Sequence, residues 1–316
     1  IISHIISGQN DFLSWLFIVK QGNKYIFPII LYLVICDSKI DFKVLKIAFE
    51  SIYIICGVLV VISFLVDFSF FYSYNKDRFG FKPPFAGTDE VSFFWIIGCI
   101  YFVHKIIYVG KSFFSFFQCF LACSSALLLG TKTVLLFFFL FGSYVFFLEF
   151  RIRKFYRFLI ALIFFCFIIF YVSYSGIFSF FKKIAYENSF LYALSSSRSA
   201  KFYDQVPEIL SGWNWWNYFI GGGVDLKFPY LEMDLFDLFL FSGILGVIVY
   251  FYLYLKFLFC FPFSNKMIAV FFFLWLILGG VAGHFYGSGF NAVYFAFVCY
   301  SLNKTDTCFL VNKSKC

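Results

Sequence analysis

Apolar residues in this chain fall in long continuous runs. Clear runs lie at about 44–66, 91–104, 113–130, 134–149, 155–172, 235–256 and 267–283, with a weaker one at about 286–302. No run alternates apolar and polar positions with period two, so each predicts a helix and not a barrel strand. A full membrane crossing takes about 20 residues, and several of these runs come close to it. Residues 5–36 hold one or two further spans, because Pro28 and the polar string KQGNK interrupt the pattern there. The expected fold is therefore all-α: a polytopic membrane helix bundle of about 8–10 spans with a large, partly helical loop. It divides into membrane helices over 1–172, a loop over 173–234, and membrane helices with a short tail over 235–316.

Composition supports this class. Hydrophobic residues make up 62% of the 316 and charged residues only 13%, and the mean hydropathy is +0.89. Ordinary soluble domains carry about 25% charged residues, so this surplus of apolar surface needs lipid to cover it. The chain opens on Ile1 and not on Met, and further membrane helices are expected before it. The ten Cys lie mostly inside apolar runs, with no CxxC and no Cys/His grouping, so neither a zinc site nor a disulfide framework is indicated.

Charge orients the spans. The segments 37–46, 104–112, 149–157, 256–266 and 303–316 hold 14 Lys and Arg in 53 residues. The alternate segments 67–90, 130–133, 173–234 and 283–286 hold 9 in 94. Cytoplasmic loops carry the excess of Lys and Arg, so the first set is expected in the cytoplasm and the second outside. The net charge of +8 is spread over these anchors, which leaves no basic patch for nucleic acid.

The outer segments then collect the chemistry-bearing residues. Arg78 lies in NKDRFGFKPP, Lys132 in LLLGTKTVLL, Arg198 and Lys201 in SSSRSAKF, Glu232, Asp234 and Asp237 in YLEMDLFD, and His284 in GGVAGHFYG. Cations from separated parts of the chain at one surface suit a polyanion such as a pyrophosphate, and Arg matches phosphate oxygens with its fork. The carboxylates and His284 are candidate proton acceptors. Trp213, Trp215 and Trp216 in SGWNWWNYFI suit the headgroup level of a bilayer and also suit stacking on sugar rings. Gly221 and Gly223 belong to GGG, which lacks the GK[ST] ending of a phosphate loop and reads as a tight turn. Glu50 and His104 lie near cytoplasmic span ends and carry no assigned role.

Taken in order, four pieces resemble the bacterial O-antigen polymerase and O-antigen ligase superfamily. DRFGFKPPFAGTDEVSFF is similar to its R-x-x-G-x-x-x-x-P/N segment, and LLLGTKTVLLFFFLF to its T-x-S-R-[GT] segment, with Lys132 where Arg is usual. YFIGGGVDLKFPYLEMDLFDLFLFSGILG resembles its G-x-G, acidic stretch and G-[IL]-[IL]-G span, and AGHFYGSG its late Gly-His segment. The resemblance covers roughly residues 70–300. It implies a metal-independent, inverting glycosyltransferase of the bacterial inner membrane with its site on the periplasmic side and no cofactor. Donor and acceptor would be glycans linked to undecaprenyl pyrophosphate, and a flippase and a chain-length regulator would be partners. Arg78, Arg198, Glu232, Asp234 and His284 are then the expected catalytic residues. Lys132, Lys201, the three tryptophans, Gly221, Gly223 and Asp237 are the expected substrate-binding ones.

The chemistry of that reading needs cations at the leaving pyrophosphate, a base for the attacking hydroxyl and an apolar cleft for the polyprenyl tail. The late Gly-His segment and Lys132 favour the polymerase over the ligase. A transporter of lipid-linked sugars would need charged residues through several spans and internal repeats, and neither is evident. A scaffolding protein would leave the scattered outer cations without a purpose.

Overall fold

A computed structural model describes residues 12–37, 41–74, 79–84, 87–147, 186, 198–222, 231–263, 265–283 and 285–313. Ten α-helices cover most of these residues: α1 Phe12–Asp37, α2 Phe42–Val66, α3 Thr88–His104, α4 Phe113–Leu128, α5 Lys132–Phe147, α6 Arg198–Ser211, α7 Trp215–Ile220, α8 Asp234–Leu253, α9 Lys266–Ala282 and α10 Gly289–Lys313. α3 and α8 each run on into one π-helical turn, Lys105–Val109 and Tyr254–Leu258. Among the described residues, β structure is limited to one bridge, Tyr72 with Phe81.

Among the described residues, four helical stretches are long and apolar enough to cross a membrane: Ile18–Asp37, Phe42–Val66, Glu90–Val109 and Asp234–Leu258. The shorter apolar helices Phe113–Leu128, Lys132–Phe146 and Lys266–Gly280 lie among them. These are the helices the apolar runs predict, to within a few residues. The run at 155–172 lies outside the described residues. The ambiguous N-terminal region forms one helix over 12–37 with Pro28 inside it. Proline removes one backbone donor and loosens the preceding turn. In that turn the Tyr25 carbonyl accepts a hydrogen bond from the Tyr254 hydroxyl at 3.0 Å.

Contacts between helix ends sort the bundle into an upper and a lower end. At the upper end, the Phe81 amide donates to the Leu128 carbonyl at 2.8 Å, and Ser92 and Thr131 share a hydroxyl bond at 2.9 Å. Ser288 donates to Glu90 there, and the Phe285 amide to Asp234. At the lower end, Asn303 donates to the Leu258 carbonyl, Asn265 to the Leu302 carbonyl, and the Phe42 ring stacks on Phe297. The start of α3, the start of α5, the start of α8 and the α9–α10 turn therefore share one end.

Between the ends the core is aromatic. Tyr53 stacks on Phe94 with centroids 4.1 Å apart, and its hydroxyl donates to the Phe94 carbonyl. Phe93 stacks on Phe285 at 3.9 Å, and Trp275 packs among Tyr254, Tyr286 and Phe295. Buried tyrosine hydroxyls usually find a partner, as those of Tyr53 and Tyr254 do. The outward faces of α2 and α4 stay apolar, with Ile47, Ile55, Leu65, Phe113 and Phe120 exposed. Such faces suit hydrocarbon, which holds no water for polar groups.

α8 is broken. Gly243 has φ 66° and ψ −175°, far from helical values. The break frees the Leu240 carbonyl, which accepts instead from the Gly222 amide at 3.0 Å. α7 thus lies against α8 near residues 239–243, with Gly221 and Gly243 back to back at a spacing that leaves no room for a Cβ on either. At 1.5 Å per residue, this contact lies about 8–13 Å along α8 from its start.

Candidate functional site

The first turn of α6 supplies two cations. Arg198 and Lys201 lie three residues apart, which places them on one helix face. Both reach Glu232: the Lys201 ammonium lies 2.5 Å from Oε1, and Arg198 Nε lies 3.7 Å from Oε2. The Arg198 side chain is 12% exposed, whereas Glu232 and Lys201 are 35% and 36% exposed, so solvent screens the cluster from one side. Glu232 itself has φ 61°, a left-handed conformation that residues other than glycine seldom hold, and one that collects at functional sites.

The surrounding backbone explains why Glu232 is held this way. Gly283, at φ 63°, packs directly on the Glu232 carbonyl and has no space for a Cβ. Two residues on, Asp234 begins α8 and is buried. Its Oδ2 accepts from the amides of both Phe285 and Tyr286, each at 2.5 Å. One turn later, Asp237 Oδ1 accepts from the Leu231 amide at 2.7 Å. The two aspartates thus face different segments: Asp237 fixes the chain entering α8, and Asp234 fixes the turn between α9 and α10.

Two further charged residues border this region. Lys24 of α1 is half-buried and lies within electrostatic reach of Glu90 and Asp234, and of Lys20 one turn before it. Glu90 in the first turn of α3 accepts from the Ser288 hydroxyl at 3.1 Å. Asn291 donates to the Glu90 backbone carbonyl at 3.1 Å. None of Lys24, Glu90, Ser288 and Asn291 is among the residues expected from the sequence. Lys24 follows Lys20 by one helical turn within the polar string KQGNK.

Of the expected site residues, Arg198, Lys201 and Glu232 come into direct contact, with Asp234 and Asp237 in the adjoining backbone. Lys132 opens α5 at the same end, next to Thr131, whose hydroxyl bonds Ser92 of α3. Arg78, Gly223 and His284 lie outside the described residues. Described residues near two of these positions lie at the upper end: the Ser73 amide donates to the Gly80 carbonyl, and the Phe285 amide to Asp234. Trp213 packs on Phe239 and against Gly222. Trp215 and Trp216 are exposed and stack on each other at 3.6 Å. Gly221 serves the α7–α8 contact described above. Among the described residues no three His, Cys, Asp or Glu are grouped to hold a metal ion.

A second charged set lies in the lower half. Glu50 of α2 accepts from the Lys105 ammonium at 2.8 Å, from the Tyr101 hydroxyl at 2.8 Å and from Gln118 at 3.1 Å. Lys105 also donates to Gln118 at 2.9 Å. Three helices are tied by this closed network, and both charged side chains are only 13% exposed. Both carboxylate oxygens of Glu50 are engaged within it, so it reads as a structural tie and not as a second reaction site.

What remains at the upper end is a rim with two cations on one carboxylate. Asp234 and Asp237 lie in the backbone beside it. Compared with protein-family models, with characterised proteins and with solved structures, the chain matches none.

Proposed function

We propose that the protein is a multi-pass glycosyltransferase of the bacterial inner membrane that polymerises glycan repeat units carried on undecaprenyl pyrophosphate. Donor and acceptor approach the upper end, which faces the periplasm. The acceptor hydroxyl attacks the anomeric carbon, its O–H proton passes to a base, and the bond from that carbon to the pyrophosphate oxygen breaks with its electron pair on the leaving group. No metal or cofactor takes part.

One observation carries this reading: Arg198 and Lys201 converge on Glu232 at the end of the bundle that also holds the start of α8 and the α9–α10 turn. Glu232 holds the two cations in place until the pyrophosphate displaces it. The cations then meet negative charge that grows as the bond breaks, which is where preorganised charge lowers a barrier most. Lys132 and Arg78 complete the cationic set, and His284 accepts the proton of the attacking hydroxyl. The exposed Trp215 and Trp216 lie at the headgroup level, and the apolar faces of the helices accept the polyprenyl tail. A scaffolding role leaves the left-handed Glu232 and its two cations unexplained.

Arg198→Ala tests the reading. Losing one preorganised charge partner lowers turnover by about 10²–10³-fold. We expect polysaccharide in the producing strain to collapse to single repeat units while the variant accumulates in the membrane at the normal level. Polymer of normal length from that variant would remove Arg198 from the mechanism and the reading with it.

A further inference from the structure

The lower end holds a cavity of about 460 Å³ between α1, α2 and α10, within the range of about 300–1,000 Å³ that small-ligand sites occupy. Two cations line it, Lys43 in the first turn of α2 and Lys304 of α10, and both are exposed. The Lys304 ammonium is held in place. It lies 4.8 Å from the centre of the Phe42 ring and 5.4 Å from that of Tyr300, and it donates to the Tyr300 hydroxyl at 3.4 Å. Behind it, the Tyr300 ring packs on Phe42 at 5.2 Å and on Tyr32 of α1 at 6.3 Å. Asn303 donates to the Tyr32 hydroxyl and to the Leu258 carbonyl. The wall that carries Lys304 is thus tied to α1, to α2 and to the π-helical turn after α8.

Lys256, at the same end, makes the contrast. It lies over the Tyr252 and Phe257 rings, which belong to its own helical stretch. Lys304 instead reaches across to α2, the helix that supplies Lys43. Asp41 is the acid of the lining, and its Oδ1 accepts from the Lys43 amide at 2.9 Å as the cap of α2. The Tyr300 hydroxyl accepts from Lys304 and keeps its own O–H for an acceptor in the cavity. The rest of the lining, Ile35, Phe42 and Leu45, is apolar. The outward faces beside it are apolar too: Val34 of α1 and Val44 and Ile47 of α2 are each more than half exposed.

We propose that this cavity binds the headgroup phosphate of an anionic phospholipid from the membrane leaflet at the lower end. Lys43 and Lys304 meet the phosphate as two point charges, and the Tyr300 hydroxyl donates to one of its oxygens. The acyl chains lie on the exposed apolar faces of α1 and α2, a surface for which a free phosphate or a nucleotide has no use. Basic pockets between membrane helices on the cytoplasmic side are where such headgroups bind. The bound lipid ties α1, α2 and α10 together at the end opposite the Arg198–Lys201–Glu232 rim. This site does not depend on the function proposed above.

The test titrates the purified protein, in a neutral detergent, with phosphatidylglycerol, with phosphatidylcholine of the same acyl chains and with glycerol 1-phosphate, and reads thermal unfolding. A ligand that binds only the folded state raises the unfolding temperature as its concentration passes Kd. We expect a saturable rise with phosphatidylglycerol alone. A lysine at an anionic lipid surface contributes about fivefold, so Lys43→Gln/Lys304→Gln should weaken that binding by about 25-fold. Lys111→Gln/Lys266→Gln removes two exposed cations from other parts of the lower end and should weaken it less than about twofold. Equal weakening by the two double variants would mean a diffuse attraction to a cationic face and would overturn the site. An equal rise with glycerol 1-phosphate would make it a site for free phosphate, and an equal rise with phosphatidylcholine would show that the lipid's charge is not read. Either result overturns the proposal, as does no rise with phosphatidylglycerol. If Lys43→Gln/Lys304→Gln fails to accumulate, the wild-type protein decides. A phosphatidylglycerol with a photoreactive diazirine in its headgroup should label the peptides that hold residues 41–45 and 300–304. Labelling confined to other peptides would refute the site.

Discussion

Glu50 sits two turns into an apolar helix and still carries a charge. A carboxylate at such a depth persists only when its oxygens are engaged, and here Tyr101, Lys105 and Gln118 engage both. In the sequence Glu50 is visible but mute, because its ion-pair partner lies 55 residues away and Gln118 lies 68 away. Only the packing of α2, α3 and α4 brings them together, and no spacing rule reports that. Lys24 is hidden for the opposite reason: its setting, KQGNK, looks like a helix break and is part of one continuous helix. Arg198, Lys201 and Glu232 are legible because charge is scarce in this chain and each lies at a predicted span end or loop. At this scale the Glu50 tie makes a stability prediction. Glu50→Leu leaves the Lys105 ammonium buried with a neutral amide, and breaking such a pair costs about 3 kcal/mol. The double variant Glu50→Leu/Lys105→Met removes both charges and should recover most of the loss. Thermal unfolding in detergent reads both, and a double variant no more stable than the single would show that the network is more than an ion pair.

The helices are mostly legible, since an apolar run near membrane length leaves one folding solution for its backbone. The break inside α8 is not. FSGILG reads as continuous helix, and glycine is common in membrane helices. The left-handed value at Gly243 arises from a tertiary contact: α7 needs the Leu240 carbonyl for its Gly222 amide, and Gly221 needs the space in which a Cβ at 243 would sit. Neither demand is written near residue 243. α7 itself shows in the sequence as an aromatic stretch, and its seat beside α8 follows from that same contact. Gly243→Ala therefore meets two penalties. Positive φ with ψ near 180° is a region held essentially by glycine alone and costs a residue with a Cβ about 1–3 kcal/mol, and the added carbon meets the α7 backbone directly. We expect the variant to unfold at markedly lower temperature and to lose activity together with the α7 seat. Gly142→Ala in α5 is the matched control, since its added methyl meets open space. It should stabilise by about 0.5–1 kcal/mol through helix propensity alone. Equal melting temperatures for the two variants would mean that the α7–α8 contact contributes nothing.

Across the whole molecule, one geometric fact joins the site to the membrane. Helix ends alternate, so that the loop before α3, the start of α5, the start of α8 and the α9–α10 turn gather at the upper end. Among the described residues Lys43, Lys46, Lys105, Lys111, Lys256, Lys266 and Lys304 lie toward the other, and Lys20, Lys24, Lys82, Lys132, Arg198 and Lys201 toward the upper end, but the segments between spans on the lower side are the denser in Lys and Arg, 14 in 53 residues against 9 in 94. Cationic segments are retained on the cytoplasmic side during insertion. The lower end should therefore face the cytoplasm and the rim should face outward, the side on which a lipid-linked glycan would be polymerised. α3 offers a direct measurement, because Gly87 before it and Gly110 after its π-helical turn both stand in open space and accept an inserted epitope tag without displacing a neighbour. The expected outcome is that the tag at Gly87 is digested by protease added to spheroplasts, while the tag at Gly110 is protected there and digested in inverted vesicles. The reverse pattern would place Arg198, Lys201 and Glu232 on the cytoplasmic face, where an outward-facing polymerase cannot work. Both tags accessible from one side would mean that α3 does not cross, and the rim would then have no membrane boundary from which to draw its substrate.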